Sequence, residues 1–99
     1  MQFTKRLRMG IRLGLITCSI RIWQNPRVKV GGRYPMEEGH IVVDSLTLIT
    51  RADITDELAR ESGFATATDL LQVAQHGSGE KVYLIRFHYV PYDLKDLPI

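Results

Sequence analysis

The hydrophobic positions of this chain change period along its length, and the changes divide it into elements. Phe3, Leu7 and Ile11 recur every four residues, while Lys5, Arg6, Arg8 and Arg12 fall on other faces. This is the spacing of an amphipathic helix, with Thr4 as its candidate cap and Gly14 as its stop. Gly10 weakens that helix by about 1 kcal/mol relative to alanine. From Ile16 to Trp23 the period becomes two. Ile16, Cys18, Ile20 and Ile22 point one way and Thr17, Ser19, Arg21 and Trp23 the other, as in a strand with one buried face. Asn25-Pro26 ends it, and Gly31-Gly32 marks a turn.

A short strand, Arg33-Tyr34, follows; Pro35 puts it at a sheet edge or near its end. After the Glu37-Glu38-Gly39 turn, Ile41-Val42-Val43, Leu46 and Leu48-Ile49 read as one long strand bent near Asp44-Ser45. Asp53 or Thr55 caps a helix running to about Ser62 and stopped by Gly63. Thr66 or Thr68 caps a second, Asp69 to His76, stopped by Gly77. Lys81 to Val90 alternates again, with Tyr83, Ile85, Phe87 and Tyr89 on one face, until Pro91. Tyr92 to Ile99 shows no period.

The strands are too short and too irregularly linked for a parallel α/β sheet. The order fits an α+β fold, a small curled sheet or β-barrel with helices packed at its side. With 99 residues, 44% of them hydrophobic, the chain makes one domain, residues 1–99, with a core over about 3–90 and a tail over 91–99.

Charge adds a strong asymmetry. Eight of the 13 Lys/Arg residues precede Glu37, and none of the 11 Asp/Glu residues does. A basic surface of this kind suits a polyanion. No stretch reaches the ~20 apolar residues of a membrane span, which argues against a membrane partner. A single cysteine, Cys18, cannot form an internal disulfide, and no signal-peptide pattern opens the chain; both favour the reducing cytoplasm.

Other chemistries find little support. His40, His76 and His88 are scattered without ligand spacing, so neither a metal nor another cofactor is expected. Gly31-Gly32 lacks the spacing of a phosphate loop. The two helices around Gly63 have helix-turn-helix spacing, but Asp69–His76 carries no Lys or Arg, which argues against sequence-specific DNA binding. The best candidate is the Thr17/Ser19/Arg21/Trp23 face, with side chains ~7 Å apart along the strand. Arg21 can grip a phosphate or a base edge in bidentate fashion, Trp23 can stack on a base, and the two hydroxyls can hydrogen-bond.

The run Gly14-Leu15-Ile16-Thr17-Cys18-Ser19-Ile20-Arg21 resembles the G-x-K-T-x-T-x-R signature of the ASCH domains, small relatives of the PUA RNA-binding fold. Lys29 to Arg33 resembles the turn before that family's second strand. Residues 54–71 resemble its helical insertion, and Val82 to Phe87 its closing strand. The resemblance implies a PUA-like barrel with an RNA- or nucleotide-binding cleft between barrel and helices. It further implies that Arg21 is the motif arginine and Ser19 the position of a nucleophile in members that hydrolyse N4-acetylcytidine. The position of the family's base is Ile16, which cannot accept a proton. That of its acid falls on Ser62, or on Glu61 with a one-residue slip.

Three functions follow as expectations. The first is binding of RNA or a nucleotide, with phosphates on Lys5, Arg8, Arg12, Arg21 and Arg33, a base on Trp23 or Tyr34, and hydrogen bonds from Thr17 and Ser19. The second is hydrolysis of RNA or of an N4-acetylcytidine-like nucleoside, with Ser19 as nucleophile and Glu61 assisting. The third is docking of an acidic protein on the basic face.

Overall fold

A computed structural model of the chain describes residues 1–74 and 79–92. In order, its elements are α1 (Lys5–Arg12), β1 (Cys18–Trp23), β2 (Arg33–Met36), β3 (Gly39–Ile49), a 3-10 turn (Arg51–Asp53), α2 (Asp56–Glu61), α3 (Ala67–Ala74) and β4 (Lys81–Pro91). The expected end of the second helix at His76 and its stop at Gly77 lie outside the described residues.

The four strands form one antiparallel sheet in the order β1-β4-β3-β2. The sheet curls into a half-barrel, and β1 and β2 are its two edges. Strand β4 lies between the first strand and the third, pairing Cys18 with Arg86 and Trp23 with Lys81 on one side, and Val43 with Phe87 on the other. The bend expected in the long strand is a register shift between Val43 and Ser45, with Asp44 as the extra residue.

One face of the sheet is covered along its length, the other over β1 and the start of β4. On one, α1 lays its Phe3, Leu7 and Ile11 stripe over Ile41, Val43, Tyr83, Ile85 and Phe87. Phe3 and Phe87 meet at 5.4 Å between ring centroids. Each such buried side chain contributes about 1.5–3 kcal/mol. On the other face, Ile20, Ile22 and Val82 pack against Ile54, Ala59 and Leu70 from the α2–α3 region. The alternation is therefore right in period from Cys18 to Trp23, but the strand does not reach back to Ile16, which packs with the α1 cluster, and its second face is not open to water. Ser19 is only 8% exposed and Arg21 and Trp23 are half-buried, because α1 and the residues before it fold back over them.

Local signals set the helix ends. Thr4 is the N-cap residue of α1, yet its side chain makes no capping bond; its carbonyl accepts the Leu7 N–H instead. Gly14, at φ 76°, closes α1: its N–H donates to the Ile11 carbonyl and that of Leu15 to the Gly10 carbonyl. Gly10 is not only a weak helix former, since a Cβ there would stand 2.7 Å from Ile16 Cδ1. Thr55 Oγ1 accepts the Leu58 N–H to start α2, and Thr66 Oγ1 accepts the Asp69 N–H in the first turn of α3. Strand β4 runs one residue further than expected, through Pro91, and the Tyr92 N–H donates to Glu38 O, so the start of the tail belongs to the sheet.

Gly63 joins α2 to α1. It sits at φ 93°, and a Cβ there would meet Leu7 Cδ2 at 2.6 Å and Ile16 Cδ1 at 2.9 Å. Its carbonyl accepts a hydrogen bond from Arg6 Nη1 at 2.9 Å. Gly63→Ala is expected to cost about 1–3 kcal/mol, lowering the Tm by about 4 °C or more in thermal denaturation; an unchanged Tm would show that the α1–α2 contact is slack.

Candidate functional site

A cleft of about 560 Å³ opens along the free edge of β1. Its floor is the strand itself, Ser19 to Trp23. Gln2, Phe3, Thr4 and Leu7 form one wall; Phe64, Leu70, Val73 and Ala74 form the other; and Arg27 reaches in from the segment after β1. The sequence places it there for a simple reason. Among the described residues, the edge strand β1 has no neighbour beyond β4, and α1 and α3 pack on opposite faces of the sheet, leaving a gap at its rim.

Arg21 dominates the cleft. Its Nε donates to Ser19 Oγ at 2.9 Å, and its Nη2 donates to the Gln2 carbonyl at 2.6 Å. The guanidinium lies 5.1 Å from the centre of the Phe3 ring. Burial pulls its pKa down from the ordinary arginine value, although the group stays charged. Among the described residues it forms no ion pair, and its Nη1 makes no hydrogen bond. Ser19 Oγ accepts from Arg21, so its own proton points elsewhere and can be donated. Trp23 lines the cleft with its indole tilted against Tyr83 at 6.0 Å.

The remaining candidates are dispersed. Arg8 pairs with Glu37 at 3.1 Å and Arg12 with Glu38 at 3.7 Å, so the turn between β2 and β3 neutralises part of the acid-free third. Arg33 pairs with Val42, placing it on the sheet face turned away from α1. Lys5 is exposed on α1 and is not a lining residue of the cleft. Thr17 precedes β1, exposed, with its carbonyl accepting the Phe87 N–H. Tyr34 packs on the core and its hydroxyl accepts the Lys29 N–H at 3.0 Å, away from the cleft.

The positions aligned with a catalytic acid fall behind the strand. Ser62 Oγ is 3.3 Å from Cys18 Sγ and donates to Leu58 O, and Glu61 is exposed beside the same cysteine. Ile16 packs against the core. The only hydrogen-bond partner of Ser19 Oγ among the described residues is thus a donor, Arg21, and not a base.

No family model, curated protein or solved structure matches the chain.

Sequence reasoning missed Arg27 as a lining group, and missed the Gln2–Phe3 clamp on Arg21 and the Phe64/Leu70/Val73 wall. Phe3 was visible only as the first member of a helix stripe. It also missed the His88 Nδ1–Asp44 contact at 2.9 Å, which the bulge at Asp44 creates on the outer face. Among the described residues no three His, Cys, Asp or Glu side chains gather as a metal site would need, and no helix is long and apolar enough to cross a membrane.

The two faces of β1 can be told apart chemically. Burial pushes the Cys18 thiol up from its ordinary pKa, so less thiolate forms at a given pH. Native protein at pH 8 is expected to react with a maleimide at least about 10-fold more slowly than protein in denaturant. Equal rates would mean that α2 does not cover β1.

Proposed function

We propose that this chain is an ASCH-type, PUA-like domain that binds RNA or a nucleotide in the cleft along β1. The observation that carries the proposal is a half-buried guanidinium without a carboxylate partner among the described residues, set beside a hydroxyl on the floor of a ligand-sized cleft. Small-molecule sites usually enclose ~300–1,000 Å³, the range in which this one falls. The N–H groups of Arg21 left open suit an oxyanion, and the Ser19 O–H supplies a further donor. The apolar walls and the Trp23 indole supply surface for a base. The correspondence of Ser19 and Arg21 with the motif positions of the resemblance supports the same reading.

The hydrolase reading needs a base at Ser19, and among the described residues none of the contacts of that hydroxyl supplies one. Docking of an acidic protein on a continuous basic face is weakened by the pairing of Arg8 and Arg12 with Glu37 and Glu38.

Trp23 is the sole tryptophan, so its fluorescence reports on the cleft. Titration with short RNA or nucleotides at low salt is expected to change that emission. Arg21→Gln should weaken binding about 10-fold or more, the cost of losing a charge-assisted hydrogen-bond donor, while Arg12→Gln and Arg33→Gln should stay within about twofold, since those side chains lie outside the cleft. Circular dichroism and Tm check that each variant folds. Absence of binding at low salt, or wild-type affinity in a folded Arg21→Gln protein, would overturn the proposal.

A further inference from the structure

The charges that line the cleft narrow the ligand beyond "RNA or a nucleotide". Among the described residues two cations line it, Arg21 at the floor and Arg27, and no carboxylate does. Neither arginine forms an ion pair among the described residues. Every hydrogen-bonding group that Arg21 and Ser19 still offer outward is a donor or can act as one. Such a set suits an acceptor-only group carrying two negative charges.

Among the described residues, no other cation of the basic third lines the cleft. Arg6 is held by the Gly63 carbonyl and lies 5.2 Å from the Phe64 ring centre, and Arg8 and Arg12 are paired with glutamates. A strand bound along its backbone needs successive cations beside successive phosphates. An internal phosphodiester brings one charge. A terminal phosphomonoester brings about −1.5 to −2 at pH 7 and three acceptor oxygens.

We propose that the cleft recognises a terminal phosphomonoester on a nucleoside, either a free nucleotide or the phosphorylated end of an RNA. The phosphate sits on Arg21 and Ser19, with Arg27 as the second cation. This inference rests on the nucleotide-binding reading above and adds to it the group that is read.

The test compares uridine, uridine 5′-monophosphate and hexauridylate with and without a 5′-phosphate, by Trp23 fluorescence and calorimetry. The two phosphomonoester ligands are expected to bind at least about 10-fold tighter than the two without. That preference should grow as pH rises from 5 to 7, following the second phosphate ionisation near pH 6. The plot of log K against log salt should have a slope of about −1 to −2, well short of the slope for an extended strand contact. Arg27→Gln should weaken the phosphorylated ligands about fivefold or more and the unphosphorylated hexamer by a smaller factor. Tight binding of the monophosphate alone would assign a free nucleotide; tight binding of the phosphorylated hexamer alone would assign a chain end; either supports the proposal. No preference for the phosphorylated member in either pair, the hexamers or uridine and its monophosphate, or an Arg27→Gln protein that keeps the preference, would overturn it and leave RNA binding standing. Failure of all four ligands to bind would overturn the nucleotide reading as well.

Discussion

Insertion of β4 between β1 and β3 is the pairing on which the other features of this structure depend. Among the described residues β1 has no other strand neighbour, and β4 comes more than sixty residues later in the chain, where Cys18 meets Arg86. The closure entropy for such a loop is paid before any contact along it is gained. What offsets it is the alternation of β4, which gives Tyr83, Ile85 and Phe87 to one face and Val82 to the other. Each face then recruits its own helices. Without β4, α1 would have no aromatic surface for Phe3, and the α2–α3 pair would lose Val82 beside Ile20 and Ile22.

The cleft is a consequence of that arrangement. Helices cover the two faces of β1 but not its edge, because α1 is anchored over the Phe87 side and α3 over the Ile22 side. Arg6 and Gly63 tie the two helical layers together at one end, through the hydrogen bond to the glycine carbonyl and the contact with Phe64. The rim is thus a boundary between two separately packed layers held at a fixed spacing. Side chains of β1 that would be solvated on an ordinary edge strand become the floor of a recess.

Much of the fold was legible in the chain because its signals are local. The Phe3/Leu7/Ile11 stripe, the alternation of β1 and β4, the Thr55 cap and the bend at Asp44 depend on residues within a few positions of one another, and each lies where its pattern puts it, except that β1 starts at Cys18 and Ile16 joins the α1 cluster instead. The site was legible only in part. Ser19, Arg21 and Trp23 were found by the face they share, and all three line the cleft. Arg8, Arg12, Arg33 and Tyr34 were grouped with them by sequence proximity and charge, which carry no information about which face of the fold a residue reaches. Glu37 and Glu38 stand just beyond the acid-free stretch, yet the β2–β3 hairpin brings them against α1. Charge counted along a chain overstates the charge presented by a surface whenever a hairpin folds acids back onto it.

Arg21 shows what this packing does to a single cation. Removing a guanidinium from water costs free energy unless other groups solvate it. Here the solvating groups are neutral: a serine oxygen, a backbone carbonyl and the face of a phenyl ring. They satisfy the direction of two N–H groups but not the charge, and burial accordingly lowers the pKa of the group. A carboxylate from the protein would have removed the penalty and also closed the site, as Glu37 does for the more exposed Arg8. Leaving Arg21 without one keeps part of its electrostatic potential available in a recess where water screens it poorly. An oxyanion entering the cleft therefore meets a cation already held by Phe3, Gln2 and Ser19, so little side-chain entropy is lost on contact. The same residues that fix the first helix onto the sheet thus pre-organise the charge that a ligand would meet.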